Sequence, residues 1–204
     1  NGRKKLMNEN TISIADGVIV GAGISGLMAA QTLQAAGKRV IVLDKGRSVG
    51  GRMATRRIGN ATADHGAQFF TVRTPEFQAY VDRWIDEGLV FLWSMGFSDG
   101  SIAPVTDDGH ARFAVHGGMN ALAKHIAKGL TDVRLEVTAE RIVQFGTTWH
   151  VHANGGRVYH ANTVLLTTPV PQALALIDAG NFKLTLEKRA ILDAIEYDPC
   201  LTGI

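Results

Sequence analysis

The sequence predicts an α/β fold that begins with a strand, a glycine turn, a helix and a second strand. The apolar run 18–20 leads directly into Gly21-x-Gly23-x-x-Gly26, which we call the glycine turn. A helical pattern follows over 25–36, and residues 39–43, which are apolar from Val40 onward, predict the next strand. This order is typical of a Rossmann-like unit, in which the N-terminus of the helix binds a phosphate group.

Each glycine of the turn has a separate physical reason. Gly21 permits the tight turn, Gly23 has no Cβ to keep a pyrophosphate away from the backbone, and Gly26 lets the helix pack close to the strand. Asp44 ends the second strand, where a carboxylate can accept hydrogen bonds from both ribose hydroxyls and would repel a 2′-phosphate. The alternative, glycines that only make a turn, is weaker because all these elements are in register.

Composition excludes several classes of function. The net charge is +2 and the only basic block is residues 3–5, so nothing supports nucleic-acid binding. The single cysteine, Cys200, allows no internal disulfide and no cysteine-based metal site. No apolar run is long enough to span a membrane, and residues 1–13 read as a disordered leader without the apolar core of a secretory signal. These features predict a cytoplasmic protein with no membrane partner.

The segment after Asp44 distinguishes between nucleotides. A nicotinamide-binding Rossmann domain normally enters another helix here, but this chain enters a loop with paired glycines and four arginines. Gly50 and Gly51 allow close backbone approach, and Arg52 can neutralise a pyrophosphate. For Arg57 we favour a solvated loop position.

The motif Gly50-Gly51-Arg52-Met53-Ala54-Thr55, placed after a glycine turn, resembles the flavin amine oxidase superfamily. Residues 63–71, 113–120 and 168–172 resemble more narrowly its renalase branch, in particular the bacterial members, although a glycine replaces the proline of that branch's Pro-x-Gly-Met-Ser turn. Tyr197 falls where the family also places a tyrosine. The resemblance covers about residues 16–204 and is most specific over 50–71.

This resemblance implies FAD as the cofactor and adds a second group of contacts to the glycine turn. Gly66 and Ala67 are small enough for a flat ring to pass, Gln68 offers a donor and an acceptor to flavin edge atoms, and Phe69 and Phe70 would exclude water. From the residues alone, this segment is equally well read as a buried turn with core phenylalanines. The predicted cofactor-binding residues are Gly21, Ala22, Gly23, Ile24, Ser25, Gly26, Asp44, Lys45, Gly51, Arg52, Met53, Gly66, Ala67, Gln68, Phe69 and, by motif, Ala139.

The resemblance also implies a division into two domains. A Rossmann-like FAD-binding domain would comprise residues 14–72 and 111–170, and an incomplete α+β substrate domain would comprise 73–110 and 171–204. Because members of the superfamily are longer, we expect these 204 residues to be part of a longer enzyme. Further predicted strands cover 133–137, 141–145, 149–152, 157–159 and 164–167, and further helices cover 120–130 and 186–195 and begin at 74 and 171.

Neither a metal site nor a catalytic residue is assigned from the sequence. His150, His152 and His160 alternate with apolar residues on predicted strands, and we expect them to face solvent rather than a metal. His65 lies beside a glycine and is read as a loop residue.

The renalase branch implies a specific reaction. Its members oxidise the 2- or 6-dihydro isomers of NAD(P)H, transfer hydride to the flavin and pass the electrons to O2, which gives H2O2. No strong base is needed, in agreement with the lack of a Ser/His/Asp or paired-carboxylate arrangement in the sequence. Two alternatives stay open: oxidation of an amine or carotenoid-type substrate, and an inactive FAD-binding module.

Overall fold

A six-stranded sheet forms the centre of the fold in a computed structural model that describes residues 14–98, 100 and 107–198. The predicted leader and Cys200 lie outside these residues. The strands are β1 (Ala15–Val20), β2 (Val40–Leu43), β3 (Thr55–Ile58), β4 (Ala61–Asp64), β5 (Phe70–Thr71), β6 (Val90–Ser94), β7 (Arg112–Val115), β8 (Val133–Arg134), β9 (Ala139–Phe145), β10 (Thr148–Ala153) and β11 (Arg157–Leu166). The helices are α1 (Ile24–Ala35), α2 (Pro75–Asp86), α3 (Asn120–Lys128), α4 (Val170–Ala179) and α5 (Leu186–Asp193).

The large sheet has the strand order β8-β2-β1-β11-β10-β9. The first four strands are parallel, whereas β10 pairs antiparallel with both β11 and β9. Val18 and Ile19 of β1 are fully buried, as expected for a central parallel strand covered on both faces. The predicted Rossmann-like α/β fold is therefore confirmed.

The strand β11 replaces two strands that the sequence predicted over 157–159 and 164–167. Its first half pairs antiparallel with β10, and its second half pairs parallel with β1, where Leu166 lies opposite Val20. Because each half pairs with a different strand, β11 continues through its polar middle, residues 160–163, without a turn. The predicted strand 133–137 is shorter than expected, and Glu136 takes a positive φ of 56° just after it.

Local signals fixed the ends of α1 and α2 as predicted. Gly37 has a φ of 74°, and the N–H groups of Gly37 and Lys38 donate to the last-turn carbonyls of Gln34 and Leu33. Thr74 precedes α2, and its hydroxyl accepts a hydrogen bond from the N–H of Phe77 at 3.3 Å.

Two apolar clusters hold the elements together. The first joins α1, α2 and α3 to the three-stranded sheet β5-β7-β6, with Leu27, Trp84 and Met119 among its buried members. The second lies between the large sheet and α4 and includes Val151 and Leu176. The first cluster contains residues of both predicted domains. The boundaries of these domains stay a prediction. No helix of the described residues has the length and hydropathy needed to cross a membrane.

Candidate FAD-binding site

A cleft of about 540 Å³ opens at the carboxyl ends of β1, β2 and β11. Ligands of open α/β sheets bind at this edge. Of the predicted site residues, Gly21, Gly23, Ile24, Ser25, Asp44, Lys45, Gly51, Arg52, Met53 and Ala139 line the cleft. Segments that are far apart in the sequence therefore meet at one place.

The glycine turn forms the floor of this cleft. Gly21 has a φ of 113°, and its N–H donates to the carbonyl of Leu43 at 2.8 Å. A Cβ added to Gly26 would lie 2.0 Å from the carbonyl oxygen of Gly21, so α1 packs against the turn with no space for a side chain. A Cβ added to Gly23 would meet nothing within 4 Å, which leaves free space beside the backbone.

The N-terminus of α1 has the properties of an anion site. Helix α1 follows Gly23 without a capping side chain, and its first turn contains no acidic residue. The first N–H groups of a helix have no partner within it, and they form the positive end of the helix dipole. The open space at Gly23 therefore lies beside a group of donors that suits a phosphate.

Both oxygens of the Asp44 carboxylate accept hydrogen bonds from backbone N–H groups. Oδ2 accepts a hydrogen bond from the N–H of Ala22 at 2.6 Å, and Oδ1 accepts one from the N–H of Gly46 at 2.7 Å. Carboxylate oxygens can accept more than one hydrogen bond, so Asp44 can fix the turn and still accept from a ribose. Ala22 itself is fully buried and does not line the cleft.

The loop 50–53 closes over the glycine turn. Gly50, with a φ of 116°, donates its N–H to the carbonyl of Ala22 at 2.8 Å. A Cβ on Gly51 would come within 3.5 Å of the Cα of Gly23. The exposed Arg52 and Lys45 supply positive charge to the cleft wall, and Asp44 and Glu140 supply negative charge.

The second predicted group of contacts lies outside this cleft. Gly66 packs so closely on Arg52 that an added Cβ would lie 1.9 Å from the Arg52 carbonyl oxygen, and the N–H of Ala67 donates to the same oxygen at 2.8 Å. Gln68 is exposed. Phe69 joins an aromatic cluster with Trp93 and Phe97, each at 5.6 Å between ring centroids. Gly66 and Ala67 therefore support the loop that carries Arg52 and do not line the cleft.

Two further residues of this segment, Phe70 and Asp64, have a structural role. Phe70 stacks on Phe113 in the first apolar cluster, at 5.8 Å between centroids. Asp64 lies at the start of α3, where it accepts a hydrogen bond from the N–H of Met119 at 3.0 Å and another from the hydroxyl of Thr55. Its carboxylate therefore caps a helix that has no local capping side chain.

The three histidines of β10 and β11 do not face solvent freely, which corrects the sequence-based expectation. All three are half-buried, and the rings of His150 and His160 lie 4.2 Å apart because the two residues are paired across the strands. Burial, together with neighbouring positive charge, lowers the pKa of His152 and of His160 below 6.5. Within the described ranges, no three His, Cys, Asp or Glu side chains are arranged to hold a metal ion.

Comparison with known proteins identifies the family. Residues 19–84 match the NAD(P)-binding Rossmann-like domain, and residues 86–202, more than half of the chain, match the family described as flavin containing amine oxidoreductase. The chain belongs to the flavin-containing amine oxidoreductases. Membership confirms the predicted cofactor, FAD, and the relatives in this family are oxidoreductases.

Individual relatives resemble different portions of the chain. Renalase of Mus musculus is 28% identical over 174 residues, which are 78% of this chain and 48% of renalase. Putrescine oxidase of Kocuria rosea is 39% identical over 80 residues, which are 39% of this chain and 17% of that enzyme. A solved structure of a putrescine oxidase redesigned in cofactor binding superposes with a TM-score of 0.70 at 17% identity, covering 88% of this chain and 63% of that one. The chain spans about half or less of the length of these curated relatives.

The cleft of this amine oxidoreductase contains further residues that the sequence-based list omitted. Thr167, Thr168, Pro169 and Gln172 line it. The buried hydroxyl oxygen of Thr168 has no hydrogen-bond partner among the described residues. Residues 168–172 were noted for their family resemblance, but their position beside the glycine turn depends on the pairing of β11 with β1. An orphaned buried hydroxyl, a helix N-terminus and the free space at Gly23 all fit a bound FAD.

Proposed function

We propose that this chain provides the FAD site of a renalase-like oxidase, which converts dihydro isomers of NAD(P)H to NAD(P)+. One proton and one O2 are consumed for each hydride transferred, and one H2O2 is released. The observation that carries this proposal is the extent of similarity. Renalase is similar over 174 residues, whereas the higher identity to putrescine oxidase is confined to 80 residues.

Different residues of the cleft would bind different parts of FAD. The N-terminus of α1 and Arg52 would hold the pyrophosphate, and Asp44 would accept from the adenosine ribose. The backbone at Ala139 would contact the adenine, and the Thr168 hydroxyl would donate to the cofactor. Bound FAD supplies the hydride-accepting ring, so the protein has to orient the substrate and exclude water. The substrate already carries a transferable hydride, so no side chain has to remove a proton.

The test begins with the visible spectrum of the purified chain reconstituted with FAD. We expect flavin absorbance to remain after gel filtration and to bleach under nitrogen when a 2- and 6-dihydro isomer mixture of NAD is added. Readmitted O2 should restore the colour and yield one H2O2 per hydride, measured with a peroxidase-coupled dye. The 4-dihydro isomer, ordinary NADH, is the matched control. A flavin-loaded chain that the isomers leave oxidised would refute the proposed substrate.

A second candidate is an amine oxidase, favoured by the likeness to putrescine oxidase in both sequence and fold. Putrescine in the same anaerobic assay distinguishes the two, because bleaching by the diamine and not by the isomers selects the amine oxidase. A chain that retains FAD and is bleached by neither would be an FAD-binding module.

A further inference from the structure

The hydroxyl of Thr167 contacts the glycine turn from the neighbouring strand. Thr167 follows the last residue of β11, and its N–H donates to the carbonyl of Val20 at 3.0 Å. Its Oγ1 lies 3.0 Å from the carbonyl oxygen of Gly21 and 3.2 Å from that of Val20. A hydroxyl has a single proton, and the shorter distance favours donation to Gly21.

The peptide unit between Gly21 and Ala22 is thereby held at both ends by side chains. Its carbonyl accepts from the Thr167 hydroxyl, and its N–H donates to Asp44 at 2.6 Å. These two partners follow β11 and β2, the strands that flank β1 on either side. A peptide unit is planar, so fixing both of its ends fixes the direction of the chain as it enters α1.

The glycines explain why such fixation is needed. Gly21 has a φ of 113°, and glycine adopts positive and negative φ values with similar ease. The glycine alone therefore does not hold the turn in this conformation. The Thr167 Oγ1 would lie 2.7 Å from a Cβ on Gly21 and 2.8 Å from a Cβ on Gly26, so the hydroxyl occupies the space that these two glycines leave empty. Glycine at both positions leaves the backbone of the turn few conformational restraints of its own. The Thr167 hydroxyl fills the empty space and restrains the turn.

We propose that Thr167 is a positioning residue for FAD: its hydroxyl holds the Gly21–Ala22 peptide so that the first N–H groups of α1 face the pyrophosphate. This inference rests on the proposed role of the glycine turn in binding FAD. Without the hydroxyl, the turn occupies other conformations for part of the time. The apparent dissociation constant of FAD then rises in inverse proportion to the fraction of chains that can bind.

The experiment compares Thr167→Val, which keeps the shape and removes the hydroxyl, with Thr167→Ser, which keeps the hydroxyl. FAD affinity is measured by the quenching of flavin fluorescence on titration. We expect Thr167→Val to raise the dissociation constant about tenfold, the upper end of what one lost hydrogen bond costs, and Thr167→Ser to stay within about twofold of the wild type. Thr163→Val, an exposed position on the same strand, is the matched control and should change nothing.

A second measurement needs no bound flavin. Hydrogen exchange of the Ala22 amide in the FAD-free chain should accelerate in Thr167→Val and not in Thr167→Ser or Thr163→Val. If Thr167→Val does not fold, Thr167→Ala takes its place beside Thr167→Ser. Equal FAD affinity of the variants with and without the hydroxyl would overturn the proposal. If the wild-type chain fails to bind FAD, the proposed function fails for this chain. Unchanged Ala22 exchange in Thr167→Val would then overturn the proposal that the hydroxyl holds the Gly21–Ala22 peptide.

Discussion

Adding one methyl group at Gly23 or at Gly26 should have opposite consequences, although both glycines belong to the same motif. In Gly26→Ala the new Cβ would lie 2.0 Å from the carbonyl oxygen of Gly21, whereas ordinary van der Waals contact begins at 3.4 Å. Helix α1 and the turn would have to separate by about 1 Å or more before the contact becomes tolerable. In Gly23→Ala the new Cβ meets nothing within 4 Å, and the φ of −71° suits any residue.

The magnitudes follow from these contacts. Overpacking costs about 1 to 3 kcal/mol, and Gly26→Ala should lie at the upper end because the obstacle is a backbone carbonyl. The better helix propensity of alanine returns about 1 kcal/mol, so the net loss is about 2 kcal/mol. For a chain of this size, that lowers the melting temperature by about 4 to 8 °C. Gly23→Ala should change the free energy of unfolding by less than about 1 kcal/mol.

The assay is a thermal melt of the FAD-free chain, followed by titration with FAD. Gly23→Ala should melt close to the wild type and bind FAD at least about tenfold more weakly, because its methyl group occupies the space proposed for the pyrophosphate. Gly26→Ala should show both defects. Two results would refute the reasoning: equal losses of melting temperature in the two variants, or wild-type FAD affinity in Gly23→Ala.

Three further outcomes are expected. Arg57 is exposed as predicted, but it lies in strand β3 and not in a loop. Arg52→Ala should weaken FAD retention on gel filtration, whereas Arg57→Ala should not; wild-type retention in Arg52→Ala would remove Arg52 from the site. Asp64→Ala removes the cap of α3 and should lower the free energy of unfolding in urea by about 1 to 2 kcal/mol. The lowered pKa values of His152 and His160 mean that the folded chain prefers the neutral rings. Their stabilising contribution is therefore present above pH 6.5 and is lost as the pH falls through the folded pKa, and a His160→Gln variant should show a flatter dependence of melting temperature on pH between 7 and 5.

The sequence predicted best what short-range chemistry determines. The unit from β1 to β2 was predicted with its turn, its helix and the end of that helix, because the apolar runs and Gly37 act locally. The start of α2 at Thr74 is another local signal, since a capping hydroxyl and a proline suffice to start a helix.

Long-range pairing was harder to predict. The sequence predicts two strands where the structure has the single strand β11, because its middle, residues 160–163, contains polar side chains. Nothing within that segment shows that one half will pair with β10 and the other with β1. The half-burial of His160 follows from the same pairing. A residue's exposure depends on which strand lies beside it, and that information is not contained in its neighbours in sequence.

The geometry of the cleft also depends on long-range pairing, so the glycine motif does not form it alone. Gly21 is held by Leu43 and Thr167, and Ala22 is held by Asp44 and Gly50, so the turn depends on three separate segments of the chain. Thr167 is separated from Gly21 by 146 residues. A strand–helix–strand unit can form from local signals, but the turn reaches its observed geometry only when β11 has paired with β1. Affinity for FAD should therefore report the integrity of the whole parallel sheet and not only that of the motif.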